Sequence, residues 1–312
     1  MLTRTLPRPL ALPRPLPTVL RPWLALAAFA GADALLLTQT GITLVAEPAR
    51  VLVLSGLLGA LLAIALIYGW HGRSPALSAC ASLALLLLAL TYVTGLGSAL
   101  VLAATQRPVI DHRLIQGDQW LGVDYPAWFA WEWAHPLLWG VLHGAYLSAL
   151  FQLTFLLLYL PLSGRAHRGL ALTWTLLLGL AVGLPISGWW PAQSAWIGYG
   201  VTATLPPWVL DWYHQCWQPL HAGTVLVWDW THVEGLITLP SFHTVYALVG
   251  PWAVRRTRLV WLFVPLNALM LLSIPTHGGH YLLDMVAGAL LAVGAMWGAQ
   301  RIVGKEALHD VR

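Results

Sequence analysis

The chain has 312 residues, of which 58% are hydrophobic and only 9% are charged, and its mean hydropathy is +0.71. Soluble domains carry about 25% charged residues, so this composition excludes an ordinary soluble protein and indicates an integral membrane protein. The formal net charge is +4, and no run of basic and aromatic residues suggests a nucleic-acid partner. The two cysteines, Cys80 and Cys216, belong to no metal-binding or redox motif.

Apolar stretches long enough to cross a bilayer recur along the chain. A transmembrane helix needs about 20 predominantly apolar residues, with a range of about 17–25. The stretches that meet or approach this length, the sixth and seventh being short, are 23–46, 51–70, 77–104, 137–162, 170–189, 239–254, 258–274 and 280–302. We therefore predict an all-α integral membrane protein with about eight transmembrane helices.

The basic residues are distributed unevenly between the two sides of the predicted bundle. Those at the N-terminus precede an apolar run longer than a signal-peptide core, so we expect this run to be retained as the first helix. If the N-terminus is inside, that side carries Arg4, Arg8, Arg14, Arg21, Arg73, Arg165, Arg168, Arg255, Arg256, Arg258, Arg301, Lys305 and Arg312. The other side carries Arg50, Arg107 and Arg113. Positively charged short loops stay cytoplasmic, so we expect a multi-pass protein of the inner (plasma) membrane with both termini in the cytoplasm.

Two histidine-containing motifs stand where apolar segments begin. Residues 239–243 read Leu-Pro-Ser-Phe-His, and residues 276–284 read Thr-His-Gly-Gly-His-Tyr-Leu-Leu-Asp. Residues four apart share a helix face, so Asp284 can accept a hydrogen bond from His280 and fix its tautomer. The other ring nitrogen of His280 is then free to act as a nucleophile or base. Because the sixth and eighth spans run in the same direction, His243 and His280 are predicted to lie at the same, extracytoplasmic face.

Two long loops, 105–136 and 190–238, are predicted on that same side and are rich in tryptophan. The tryptophans are expected mainly to form an aromatic belt at the headgroup level, and the walls of a headgroup pocket are the other interpretation. Three aspartates of the first loop, Asp111, Asp118 and Asp124, are predicted to cap short interfacial helices. Contact with a polar headgroup is the alternative for these aspartates.

These motifs resemble those of a known family. Pro-Ser-x-His at 240–243 and Ser-x6-His-x3-Asp at 273–284 are similar to the second and third signature motifs of the type 2 phosphatidic acid phosphatase (PAP2) superfamily. Within it, Gly-x-His-Tyr-x-x-Asp at 278–284 resembles the branch that contains the inositol phosphorylceramide synthases, which are inositolphosphotransferases. The resemblance is specific over about 239–290 and weaker back to about residue 105.

The resemblance implies a domain organisation. A six-helix PAP2-like core is expected within a catalytic membrane domain at 77–303, preceded by two added N-terminal transmembrane helices at 23–76. Segments 1–22 and 304–312 are expected to be cytoplasmic tails. No feature of the sequence specifies an oligomeric state.

The resemblance also implies a mechanism. His280 would attack phosphorus and form a phosphohistidine, and Asp284 would orient His280. His243 would protonate the leaving lipid alkoxide and then activate the acceptor, which is water or an alcohol. The substrate would be a membrane phospholipid or a lipid phosphate, and the mechanism calls for no metal and no cofactor.

The chain departs from the family pattern in the residues that would hold the phosphate. The first motif, a lysine followed by Arg-Pro, is absent, and Ile274 stands where the third motif has arginine. Phosphoryl transfer depends on positive charge around the phosphoryl oxygens, so other donors are required. The candidates for substrate or phosphate binding, together with helix N-terminal amides, are Arg107, Ser241, His277 and Arg113.

Several functions remain open at this point. The motif variant favours a transferase that moves a phospho-headgroup between lipids, with a lipid phosphate phosphatase that uses water as the alternative. A protein of another class, a proton-coupled transporter, would use His243, His280 and Asp284 as a relay. A scaffold that has lost its phosphate clamp, and with it catalysis, is a further interpretation.

Overall fold

The computed structural model describes residues 16–70, 72–201, 205, 207–233 and 235–304. In this part of the chain nearly all regular structure is helical, and seven helices are long and apolar enough to cross a membrane. The all-α membrane fold predicted from the composition is therefore confirmed. Most of the predicted N-terminal tail, the C-terminal tail beyond Gly304 and the lysine at 305 lie outside the described residues.

The long helices account for the predicted spans. They are α1 (Leu16–Thr40), α2 (Pro48–Trp70), α3 (Pro75–Thr105), α6 (Pro136–Leu162), α7 (Ala166–Trp189), α11 (Phe242–Val254), α12 (Val260–Gly278) and α13 (Leu282–Val303). Short helices lie in the two long loops: α4 (Asp111–Trp120), α5 (Tyr125–Trp133), α8 (Ala195–Gly198), α9 (Pro207–Trp212) and α10 (Gln218–His221), with a π-helix at Tyr213–Trp217 before α10.

The first helix ends at Thr40, six residues before the predicted limit of 46. Gly41 adopts a left-handed conformation with φ +67°, which ends α1. The chain then forms strand β1 (Thr43–Val45), which pairs in parallel with strand β2 (Val227–Asp229). The turn between the two N-terminal helices is therefore hydrogen-bonded to the second long loop.

The sixth span, predicted at 239–254, is shorter. Helix α11 has 13 residues, about 20 Å at 1.5 Å per residue, against a hydrocarbon core of about 30 Å. It begins only after Pro240, because the Ser241 hydroxyl accepts a hydrogen bond from the Thr244 amide at 3.4 Å and caps the helix. Helix α11 lies within the bundle and packs on α6, α7, α12 and α13.

The interior is a leucine-rich cluster between α3, α6, α7 and α11. Its fully buried members include Leu90, Leu156, Leu172 and Val245. Apolar side chains gain little by leaving lipid for protein, so close approach of helices depends on packing and small residues. Gly288 of α13 is such a residue, because a Cβ there would lie 2.3 Å from the Ser241 carbonyl oxygen.

Candidate active site

His280 and Asp284 meet in the turn between α12 and α13. Helix α12 ends where Gly279 takes a left-handed conformation with φ +61°. His280 Nδ1 lies 3.4 Å from Asp284 Oδ2, and the same oxygen accepts a hydrogen bond from the Tyr281 amide at 3.0 Å. His280 precedes the first residue of α13, so the two side chains meet in a helix-capping turn and not on a helix face as the spacing suggested. The 3.4 Å contact lacks the geometry of a full hydrogen bond, and catalytic hydrogen bonds that are long in a free protein often tighten in its complex with substrate.

His243 lies in the first turn of α11, beside His280. The two ring centroids are 6.5 Å apart, and the His243 ring stacks on Tyr146 at 4.0 Å. The predicted meeting of the two histidines is therefore present in the fold. Ser241 is fully buried, and its amide donates a hydrogen bond to the Asp284 carbonyl at 3.0 Å. Ser241 thus joins α11 to α13, in addition to capping α11 with its hydroxyl.

Two cavities meet at these histidines. The larger has a volume of about 580 Å³ and is lined mainly by aliphatic side chains of α3, α6 and α7. Its lining includes Leu150 and Phe151, which are 61% and 75% exposed, so this cavity is a groove that opens sideways towards lipid. The smaller, of about 230 Å³, is lined by polar and aromatic side chains, including Ser194, Trp196 and His277. His243, His280, Tyr146, Gly235 and Ile237 line both.

The arginines proposed as phosphate ligands lie elsewhere. Arg107 follows α3, and its guanidinium stacks on the Trp189 ring at 3.7 Å. Arg113 is exposed on α4. Arg50 pairs with Glu47 at 2.7 Å and with Asp229 at 3.6 Å. Among the described residues, no arginine or lysine lines either cavity.

A carboxylate that the sequence did not single out lies behind His277. Glu132 of α5 is fully buried, and its Oε1 lies 2.9 Å from His277 Nε2. The Thr276 hydroxyl donates a hydrogen bond to the same oxygen at 3.0 Å. His277 is at the end of α12 and does not share a face with Asp284. Glu132 stands between two tryptophans in a largely apolar segment, and a lone acid in such surroundings was the available signal.

Two aspartates of the first long loop hold the turn that carries His280. Asp118 accepts a hydrogen bond from the Leu282 amide at 2.9 Å, and Asp111 accepts one from the Tyr281 hydroxyl at 2.7 Å. Burial raises the pKa of both carboxyl groups, and these hydrogen bonds partly oppose the rise. Asp118 therefore caps α13, whereas Asp124 caps the short helix α5 through the Ala127 amide at 3.0 Å. The predicted capping of a short helix holds for Asp124.

Comparison with known proteins gives one match. The family model of the PAP2 superfamily matches residues 112–298, which run from α4 into α13 and include His243, His280 and Asp284. Searches of curated proteins and of solved structures find no match to this chain. The family model covers more than half of the sequence, and its range contains the lining residues that the two cavities share, including the two histidines. The chain belongs to the PAP2 superfamily.

Proposed function

We propose that this protein transfers the phospho-headgroup of a membrane phospholipid to an acceptor hydroxyl through a phosphohistidine at His280. The observation that carries the proposal is the position of His243 and His280 at the junction of an apolar groove and a small polar cavity. The groove suits acyl chains, and the polar cavity suits a headgroup. A phosphorus atom that joins these two parts of a lipid would lie between the two imidazoles.

We assign a role to each side chain on the basis of this geometry. Because Asp284 lies at Nδ1 of His280, Nε2 is the nitrogen left for attack on phosphorus. In the first step the N–P bond forms, the P–O bond to the lipid alkoxide breaks, and His243 gives a proton to the leaving oxygen. In the second step the acceptor oxygen attacks phosphorus, the N–P bond breaks, and His243 takes the acceptor's proton.

The charge around the site favours a phosphodiester substrate. A phosphate monoester carries about −1.5 to −2 charge at neutral pH, whereas a phosphodiester carries about −1. No arginine or lysine among the described residues lines the cavities, so less charge can be balanced there than in a site with a cationic clamp. This supports the inositol phosphorylceramide synthase-like activity over hydrolysis of a lipid phosphate monoester.

We further propose that the site faces the extracytoplasmic side. In α11, His243 lies in the first turn and Arg255 follows the last residue, so the site and this basic loop are at opposite ends of the helix. The surrounding loop also contains Arg256 and Arg258. Basic loops of this length stay in the cytoplasm, which supports an outer position for the histidines.

The test is headgroup transfer by purified protein in detergent micelles. A phospholipid labelled in its headgroup phosphate is incubated with and without a lipid alcohol, and labelled lipid and water-soluble products are separated. We expect labelled product lipid that depends on the acceptor. Rapid release of labelled headgroup phosphate with water alone would instead assign the protein as a hydrolase.

The covalent step is tested by quenching turnover with denaturant at alkaline pH, because the N–P bond of a phosphohistidine survives alkali and is hydrolysed by acid. We expect an acid-labile label on the wild-type protein and on His135→Gln, a control at an exposed histidine, but not on His280→Gln. An active wild-type protein that carries no acid-labile label would exclude the phosphohistidine mechanism.

A further inference from the structure

A second histidine–carboxylate pair adjoins the polar cavity. His277 lines this cavity, and Glu132, which lies behind its ring, does not. Both side chains are almost fully buried, at 1% and 0% exposure. The pair is therefore ordered so that the imidazole stands between the carboxylate and the cavity.

The surroundings of His277 favour a ring that donates into the cavity. Its Nε2 lies 2.9 Å from Glu132 Oε1 without the full geometry of a hydrogen bond, and Nδ1 has no hydrogen-bond partner among the described residues. The Trp139 ring packs against the imidazole, with the two ring centroids 4.1 Å apart. A carboxylate at Nε2 leaves Nδ1 as the ring nitrogen that can face a ligand in the cavity, and a protonated ring nitrogen donates a hydrogen bond.

Other polar groups of this cavity already have partners within the protein. The Ser194 hydroxyl accepts a hydrogen bond from the Ile197 amide, and the Thr238 hydroxyl donates to a backbone carbonyl. The Trp196 indole donates to the Thr276 carbonyl at 2.9 Å. The imidazoles, the Tyr146 hydroxyl and the Trp212 indole are the side-chain donors that remain for a ligand among the described lining residues.

We propose that Glu132 is a positioning residue that holds His277 as a hydrogen-bond donor to a phosphoryl oxygen of the substrate. The proposal rests on the function proposed above, since it identifies how that site binds phosphate when no arginine or lysine is among its described lining residues. Glu132 acts through His277 and does not contact the substrate.

The experiment measures binding of orthovanadate, an inorganic phosphate analogue, to the full-length protein in detergent micelles by tryptophan fluorescence. Glu132→Gln and His277→Gln are each compared with the wild-type protein. A hydrogen bond to a charged group contributes enough that its loss is expected to weaken vanadate binding about 10- to 100-fold. The matched controls, Glu47→Gln and His135→Gln, change the same residue types away from the cavities and are expected to bind as wild type does.

A double-mutant cycle separates positioning from a general loss of structure. If Glu132 acts through His277, the double variant binds vanadate about as weakly as His277→Gln alone. Additive losses would show independent effects and would overturn the positioning role. Turnover is measured alongside, and we expect Glu132→Gln to raise KM more than it lowers kcat. Melting temperatures identify any variant that is unfolded, and Glu132→Asp then serves as the second variant, expected to regain part of the affinity.

The outcomes distinguish this inference from the function on which it rests. Unchanged vanadate affinity in Glu132→Gln and His277→Gln, with headgroup transfer intact in the wild type, would overturn this inference alone. If the wild-type protein neither bound vanadate nor acted on a phospholipid, both proposals would fall together. Weakened vanadate binding in both variants, with no lipid transfer by the wild type, would support the phosphate site and contradict the proposed reaction.

Discussion

At the scale of single residues, Asp284 shows how one buried carboxylate serves two purposes. Its Oδ2 accepts a hydrogen bond from the Tyr281 amide and lies near His280 Nδ1, so the group that caps α13 is also placed to orient the imidazole in the proposed mechanism. The spacing of four residues predicted that the two side chains are close, and they lie 3.4 Å apart without a full hydrogen bond. The contact nevertheless arises from a capping turn, because α13 starts two residues after His280.

Replacement of Asp284 by asparagine separates these two purposes. The amide oxygen of asparagine can still cap the helix, but it carries no charge to stabilise the imidazole during phosphoryl transfer. We expect kcat to fall about 10²- to 10⁴-fold while the melting temperature changes little. Asp124→Asn, a cap replacement in α5, is the control and should retain full turnover. Unchanged turnover in Asp284→Asn would remove Asp284 from the mechanism.

Asp111 leads to a prediction on pH. Burial raises its pKa in the folded protein, so the folded state holds the proton more tightly than the unfolded chain does. The free energy of unfolding therefore decreases as the pH rises from 3.8, the ordinary value, through the raised pKa. Burial also raises the pKa of Asp118, so this carboxyl group likewise lowers the free energy of unfolding as the pH rises. Asp111→Asn should give a weaker dependence of melting temperature on pH, measured from about pH 4 to about pH 8. An equal slope in both proteins would contradict this assignment.

Single residues also show which contacts the sequence does not predict. Glu132 accepts a hydrogen bond from the hydroxyl of Thr276, which lies 144 residues away in the sequence. No local spacing therefore connects the two segments. Arg107 was chosen for its charge, yet its guanidinium lies on Trp189, a contact that only the folded chain brings about. Motifs a few residues long could be predicted, whereas partners from distant segments could not.

At the scale of secondary-structure elements, the site depends on the close approach of α11 and α13. The Ser241 amide donates to the Asp284 carbonyl, and Gly288 lies against the Ser241 carbonyl. His243 lies in the first turn of α11, and His280 lies two residues before the start of α13. The distance between the helices therefore sets the distance between His243 and His280.

Gly288→Ala tests this dependence. The added Cβ would lie 2.3 Å from the Ser241 carbonyl oxygen, so the helices must move apart. A displacement of about 1 Å at a reacting centre can cost about 100-fold in rate, and we expect a loss of kcat of that order. Gly294→Ala, on the same helix with no atom within 4 Å of its added Cβ, should retain activity. Equal turnover in the two variants would show that this packing does not set the geometry.

The presence of the long helices could be predicted from apolar length, whereas the end of α1, the start of α11 and the loop contacts could not. Backbone groups in lipid must be paired within the segment, so each apolar run of sufficient length forms a helix. The pairing of β1 with β2 joins residues more than 180 positions apart, and nothing in either short segment predicts the other. The predicted length of α11 was too great, because the apolar run does not show that the helix begins after Ser241.

At the scale of the whole molecule, the two histidines and the basic loop after α11 lie at opposite ends of that helix. If the histidines face outward, Trp120 on α4 lies outside, and His167 at the start of α7 lies in the cytoplasm. Both side chains are exposed, so cysteines at these positions can report orientation. In a background with Cys80 and Cys216 replaced by serine, a membrane-impermeant maleimide should label Trp120→Cys in intact cells and His167→Cys only after lysis. The reverse pattern would place the site in the cytoplasm.

The sideways opening of the apolar groove affects how the enzyme meets its substrate. Leu150 and Phe151 form part of the groove and face lipid, so a phospholipid can enter from the bilayer without first passing through water. Encounter is then a two-dimensional process, and the relevant concentration is the mole fraction of substrate among membrane lipids. For the proposed reaction, adding inert lipid at constant total substrate should slow turnover by surface dilution.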